Sequence, residues 1–521
     1  MRPASIDRRE FLTSGLTFAG TALLGGSALA CSSDQLLAPS PRSAVRGRTV
    51  NRDEDLAEPP IISSVGGLLS AAITCGTAPT LVGGRLAHEA VTYNGSFPGP
   101  TLWARQGDTI DLGFTNRIVF DQANDKPGYG RPPRDANATN LHFHGLHISP
   151  LGSADNMLVT VQPNRSHRYL FEIPRDHPAG CYWYHAHVHG LVTNHVSRGA
   201  AGMFYVANAH TDLIESLGIR RRLMLLQQAY FEADLKTVIF DDGERDDAEL
   251  ALSLINGRRM PDIRIRPGEP QVWCLVNGSS SAFYALRLEG HTFDVIGDDG
   301  VPLVGSGRRA QRMLLLPSGK RLEVVVRGAQ AKGRYVMSYD AYNQGVDTWP
   351  QKDIATLIVD GPSWTGPDHP GVDSTAQARD LSVVPVPDAL KRTIVFGMNQ
   401  NVAEGEFGRF TINGHPWDPT YSEWTSTLGT TEEWLIRNDT EQDHPLHVHV
   451  NPFQITNVNG VAVPFEGYQD TAIVPRFGSI TVRTRFTDFT GGPILIHCHI
   501  LDHEDMGMMT RFEIAPAGAA A

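Results

Sequence analysis

The densest chemistry in the chain lies near its end, in His497-Cys498-His499-Ile500-Leu501-Asp502-His503-Glu504-Asp505-Met506-Gly507-Met508. It follows Gly-Gly-Pro-Ile-Leu-Ile, a short apolar run that reads as a buried strand. Side chains on a strand alternate between its two faces, so His497 and His499 look one way and Cys498 the other. One tripeptide can therefore serve two metal sites, with its own backbone as a covalent bridge. His503 and Met508, on the loop that follows, can fold back onto the Cys498 side. A second imidazole can come from His444, in His444-Pro445-Leu446-His447-Val448-His449. A thiolate, two imidazoles and a weak thioether form the ligand set of a blue electron-transfer copper.

A single His or Cys in a strand is ordinarily core packing. Here four clusters stand against that reading: His142-Phe143-His144, His185-Ala186-His187, His444 to His449, and His497 to Met508. They hold ten of the twenty histidines. Each His-X-His places both imidazoles on one strand face. Eight such imidazoles converging on one place suit a cluster of three coppers, since neutral imidazole binds copper well.

The four motifs resemble those of the multicopper oxidases, the family of laccases, bilirubin oxidases and bacterial cuprous and ferrous oxidases. They stand in that family's order and span nearly all of the chain after its leader. The resemblance implies four copper ions and a role for each ligand. A type 2 copper takes His142 and His447. One type 3 copper takes His144, His185 and His499, and its partner takes His187, His449 and His497. A type 1 copper takes His444, Cys498 and His503, with Met508, ten positions after the cysteine, as axial ligand. His147, His189 and His195 fall outside the motifs and read as neighbours of the site or surface residues. The implied reaction passes single electrons from a small reducing substrate at His503, through Cys498, to molecular oxygen, which leaves as two waters. Proton supply needs carboxylates, and Glu504 and Asp155 match the family's two acidic positions.

For the substrate a phenol is expected, because the eleven methionines form no methionine-rich insertion of the cuprous oxidase kind. Cu⁺, Fe²⁺ or Mn²⁺ is the alternative, with the acidic run Asp241-Asp242-Gly243-Glu244-Arg245-Asp246-Asp247 as an attractor or simply a solvated loop. A copper nitrite reductase lacks the eight-histidine cluster, and a copper-free envelope scaffold would have lost ligands, of which none is missing.

The elements that must position these residues can be read from an internal repeat. Tyr93-Asn94-Gly95, Ile255-Asn256-Gly257 and Ile412-Asn413-Gly414 recur at a spacing of about 160 residues, and each unit runs on to Asn116, Asn277 or Asn438. Asn-Gly favours tight hairpins, and the runs between are short and strand-like. An all-β chain of three β-sandwiches follows, which the resemblance makes cupredoxin-like Greek-key domains over 61–208, 209–365 and 366–521. The middle unit offers only His291 where the others carry His-X-His, so it reads as a spacer that helps shape the substrate side.

Ahead of these units, Asp7-Arg8-Arg9-Glu10-Phe11-Leu12 and the small apolar run to Ala30 read as a twin-arginine export signal over 1–31. That predicts a periplasmic or extracellular protein. Cys31 resembles a lipid attachment point, and 32–60 reads as a polar tether. Cys75, Cys181 and Cys274 allow one disulfide at most, with the pair left open. A net charge of −12 argues against a nucleic-acid partner, and a monomer is expected.

Overall fold

The computed structural model describes residues 55–120, 136–231, 238–239, 251–373 and 378–518. The export signal, Cys31, most of the tether and the acidic run 241–247 lie outside them. The end of the tether is a correction. Residues 55–60 are pinned to the body through Leu56 N–H to Asp262 O and Thr101 N–H to Pro60 O, and Leu56 is buried.

Alternating apolar and polar positions, as in Thr109–Arg117, give strands with one buried face. Paired sheets then bury those faces against each other. In the first sandwich, a sheet ordered Ile61–Ser63, Gly99–Arg105, Ala201–Ala207, Gly180–His185 and His142–His144 packs on one built from Arg85–Tyr93, Leu68–Val82, Thr109–Arg117 and Ser166–Glu172. Ile73, Leu112 and Phe114 of one meet Leu102, Phe143 and Phe204 of the other. The second sandwich is centred on Pro270–Asn277 and Arg321–Arg327 in one sheet and on Lys352–Val359 and Gly333–Asp340 in the other. In the third, Lys391–Met398, Thr431–Asn438 and Ser479–Arg485 face the sheet ordered Thr425–Thr427, Met509–Ala515, Gly491–Cys498, His444–Val448 and Thr471–Val474. The cores of the second and third sandwiches join into one apolar cluster, from Leu286 and Trp273 through to Trp434 and Phe512.

The repeated asparagines have a physical job. Asn94, Asn256 and Asn413 all adopt positive φ, and each is followed by a positive-φ glycine, the backbone of a tight hairpin turn. Their side chains also accept from a neighbouring strand, from Thr74 N–H, Leu225 N–H and Val395 N–H. Asn116, Asn277 and Asn438 are fully buried. Each donates its amide to two backbone carbonyls, one of them in the loop that follows it or beside it, as Asn438 does to Gln442 O and Val474 O. A buried amide that satisfies a loop carbonyl ties the loop down.

The cysteines are all thiols among the described residues. Cys75 lies in the first sandwich's core, while Cys181 and Cys274 share a second cluster where the first and second sandwiches meet.

Trp434, fully buried between Trp424, Phe486 and Phe512, anchors the third sandwich. Trp434→Ala should cost about 3–5 kcal/mol, read as a lowered thermal unfolding midpoint. An unchanged midpoint would show that this aromatic cluster does not hold the sandwich.

Candidate metal centres

Strand register brings the histidines together. His444–Val448 runs antiparallel to Gly491–Cys498, placing His447 opposite His497 and Leu446 opposite Cys498. Directly opposed residues share a face, so His447 and His497 face one way and Cys498 the other. In the first sandwich, His142 stands opposite His185. The two sets then interleave across the interface. His142 stacks on His449 at 4.2 Å between ring centroids, and His144 on His447 at 3.8 Å.

On the Cys498 side, Sγ lies 3.5 Å from His444 Nδ1 and 3.9 Å from His503 Nδ1, and the two nitrogens are 3.2 Å apart. Met508 is fully buried, with its carbonyl accepting from Cys498 N–H and its own N–H donating to His503 O. Ile500 N–H points at Sγ from 3.4 Å. Thr440 sets the tautomer of His444. Its hydroxyl donates to Asn438 Oδ1 at 2.8 Å, so it accepts from His444 Nε2–H at 2.7 Å and leaves Nδ1 bare toward the sulfur. Burial pushes the Cys498 thiol well above its ordinary value, and a coordinated cation is what holds such a sulfur as thiolate.

On the other side all eight imidazoles are buried, at most 2% exposed. Burial first, and neighbouring imidazoles second, lower His142, His144, His449 and His499 well below the usual histidine range. They are neutral, as ligands must be. His144 is turned the other way, with Nδ1 unpartnered and Nε2 3.4 Å from Thr471 Oγ1. Five of the others have their outer nitrogens satisfied: Nδ1 of His142 by Asp155 at 2.9 Å, of His185 by Ala186 O, of His447 by Asp470 O, of His497 by Cys498 O and of His499 by Ser318 Oγ. Their inner nitrogens are not. Nε2 of His142, His185, His447 and His499 has no hydrogen-bond partner, and those of His187 and His449 converge on His497 Nε2 at 3.4 and 3.0 Å. Buried acceptors left bare in this number fit metal ions as their missing partners.

Donor atoms lie within 4.8 Å of one another in the groups His142/His447/His449, His142/His144/His185, His187/His449/His497, His444/Cys498/His503 and His144/His447/Asp470. Of the sets assigned from the sequence, the structure brings close together His444, Cys498 and His503, the group His187/His449/His497, and the pair His142 and His447. His499 stands slightly apart, with its ring 4.9 Å from that of His144 and 5.7 Å from that of His185.

The carboxylates differ in setting. Asp155 accepts from His142 and from Phe143 N–H, and burial pushes it up to about 8. Glu504, on the short helix Leu501–Asp505, is fully buried. Its oxygens lie 3.1 Å from His497 Nδ1 and 3.4 Å from His187 Nδ1 without a well-aligned hydrogen bond, and burial pushes it up to about 7. Asp505 accepts from Gly190 and Thr193 N–H, tying the helix to the first sandwich.

The neighbours set aside in the sequence take ordinary roles. His147 bonds Val450 O and Asp488, His195 bonds Ala136 O, His189 packs against Phe407 and Trp417, and His291 bonds Glu289 O. Sequence reasoning missed Asp470, Ser318 and Thr440. Asp470 lies 3.3 Å from His447 Nδ1 and 3.4 Å from His144 Nε2. Burial pushes its carboxyl up, but Arg321 outweighs that and holds it far below the usual range. A carboxylate opening the apolar strand Thr471–Val474 was the one signal available.

The comparisons agree with this geometry. Family models described as multicopper oxidase match residues 75–124 and 134–211, 182–361, and 387–518. The chain belongs to the multicopper oxidase family. It is 25% identical over 437 residues to the multicopper oxidase mco of Staphylococcus haemolyticus, covering 81% of this chain and 83% of that one. It is 24% identical to the cell division protein FtsP of Photorhabdus laumondii, covering 89% and 93%. Its fold is shared with a metallo-oxidase of Campylobacter jejuni, with TM-score 0.69, 22% identity and coverage of 89% and 95%. A laccase of Pediococcus acidilactici is alike at TM-score 0.71, 22% identity and coverage of 88% and 93%. The protein is a copper-dependent oxidoreductase of three cupredoxin-like β-sandwiches.

In this multicopper oxidase Thr440→Val removes the acceptor for His444 Nε2–H. Chelators should then strip copper held by His444, Cys498 and His503 roughly 10- to 100-fold more readily, followed as copper retained per chain. Wild-type resistance would show that the tautomer is set elsewhere.

Proposed function

We propose that this enzyme holds four coppers, in the type 1, type 2 and type 3 roles given above, and oxidises phenol-like substrates as a laccase does. The observation that carries the reading is the tripeptide His497-Cys498-His499. Its sulfur joins one buried donor group with His444 and His503, while its two imidazoles join the other.

Bound copper supplies one-electron redox chemistry and the reduction of oxygen to water, which no side chain here offers. The chain supplies position and protons. Cys498 and its flanking histidines are the shortest covalent connection between the two donor groups. His503, the least buried of the proposed ligands at 5% exposed, stacks on Phe410 at 3.8 Å, so an aromatic wall flanks it. An electron-rich ring suits that wall. The separation lets a bulky substrate stay outside while oxygen meets only buried imidazoles. Glu504 and Asp155 lie against those imidazoles, and carboxyls raised into the neutral range can hold and release protons there.

A metal ion is the second reading, favoured by the likeness to the Campylobacter jejuni metallo-oxidase. A copper-free envelope scaffold is a third reading, against which the full set of clustered donors stands. Export by the twin-arginine route, lipid on Cys31 and a monomeric state complete the proposal.

Oxygen uptake by the copper-loaded protein, offered a phenol, Cu⁺ or Fe²⁺ in parallel, tests the substrate. Fastest uptake with the phenol is expected, and uptake with a metal ion alone would make this a metallo-oxidase. Cys498→Ser should lose both blue colour and uptake while the cluster keeps its copper; wild-type uptake in that variant would sink the electron route. Glu504→Gln should slow uptake by about 10²-fold or more with copper content unchanged. An unslowed variant would remove Glu504 from proton supply.

A further inference from the structure

All the proposed copper ligands belong to the first and third sandwiches, yet the buried turn Pro317-Ser318-Gly319-Lys320-Arg321 of the second reaches the eight-histidine cluster. It joins Leu314–Leu316 to Arg321–Arg327. Ser318 and Arg321 are fully buried. The Ser318 hydroxyl donates to Ser279 O, so it accepts from His499 Nδ1–H at 3.2 Å. Gly319 adopts φ +84°, and a Cβ there would lie 2.8 Å from His499 Cδ2. Only glycine lets the turn approach the ring so closely.

Two residues on, the Arg321 guanidinium makes two parallel bonds of 2.6 Å to Asp470 and a third of 2.9 Å to Asp299 O. Asp470 in turn faces His447 and His144. Asp299 ties the same place from the other side, accepting from Arg321 N–H, Asp470 N–H and Thr471 N–H. Gly145, next to His144, leaves the room that Arg321 fills, since a Cβ there would collide with the guanidinium. All three sandwiches meet at this one side chain.

We propose that the second sandwich is a positioning element of the copper cluster rather than a spacer: Arg321 fixes Asp470 against His447 and His144, and Ser318 fixes the ring of His499. Its turn sets the orientation of three imidazoles that it does not itself carry. A planar two-pronged guanidinium fixes the carboxylate in one orientation, which a lysine ammonium cannot do. The proposal rests on those histidines being copper ligands, as read above.

The test compares wild type, Ser318→Ala and Arg321→Lys after copper loading. Copper per chain is measured before and after challenge with a chelator, together with the paramagnetic resonance spectrum of the type 2 copper. Both variants are expected to keep the blue colour and to lose cluster copper roughly 10- to 100-fold more readily. In Arg321→Lys the type 2 spectrum should also shift. Ser318→Ala removes one hydroxyl and nothing from the charge network, so it still decides the matter if Arg321→Lys fails to fold. Variants with wild-type retention and unchanged spectra would overturn the role of the second sandwich while leaving the ligands in place. A wild type that binds only the blue copper would overturn the ligand reading itself, and this proposal with it.

Discussion

A buried neutral imidazole has two demands: its N–H needs an acceptor and its bare nitrogen needs something electrophilic. The centre of this protein depends on answering the first demand with protein atoms and leaving the second to metal. Backbone carbonyls of Ala186, Asp470 and Cys498, the Asp155 carboxyl and the Ser318 and Thr440 hydroxyls each face an outer ring nitrogen. The inner nitrogens of His142, His185, His447 and His499 are left without partners. Unpaired buried polar atoms cost about 1–3 kcal/mol each, so an arrangement with several of them stands only because the surrounding sandwiches hold it. Folding stability is thus spent in advance on a site whose geometry does not wait for its ligand.

The surrounding charges follow from the same constraint. Asp298, Asp299 and Asp470 are buried close to the cluster, and Lys320, Arg321 and Arg308 pair with them. Carboxylates in such a place must be matched by cations or turn neutral. Asp298 and Asp470, each held by an arginine, stay below the usual carboxylate range, whereas burial and its two acidic neighbours raise Asp299 despite Lys320 and Arg321. Asp155 and Glu504 are pushed up toward neutrality by burial. Two kinds of buried acid therefore stand around one set of imidazoles, one fixed in charge and one able to exchange a proton.

Much of this was legible in the chain itself. Histidine pairs two residues apart announce themselves because strand alternation forces both rings to one face. The Cys498 tripeptide announces two sites for the same reason. The recurring asparagines mark three units because each unit needs the same tight turn and the same buried amide. Asp470, Ser318 and Arg321 carry no such periodic signature. Each is a lone polar residue in an apolar setting, and its partner lies on another sandwich, as Ser318 and His499 show across 181 residues of sequence. Residue types alone could not tell a surface charge from one that ends at a three-way junction.

Sequence by itself determined the family with its metal, the clustered donor residues and the all-β repeat, because each is a local matter of donor chemistry and strand period. Tertiary structure decided which nitrogen of each ring stays bare, which carboxylates keep their charge, and that the sandwich without ligands reaches the cluster. Those properties depend on which distant groups share a buried volume, and spacing along a chain does not encode that.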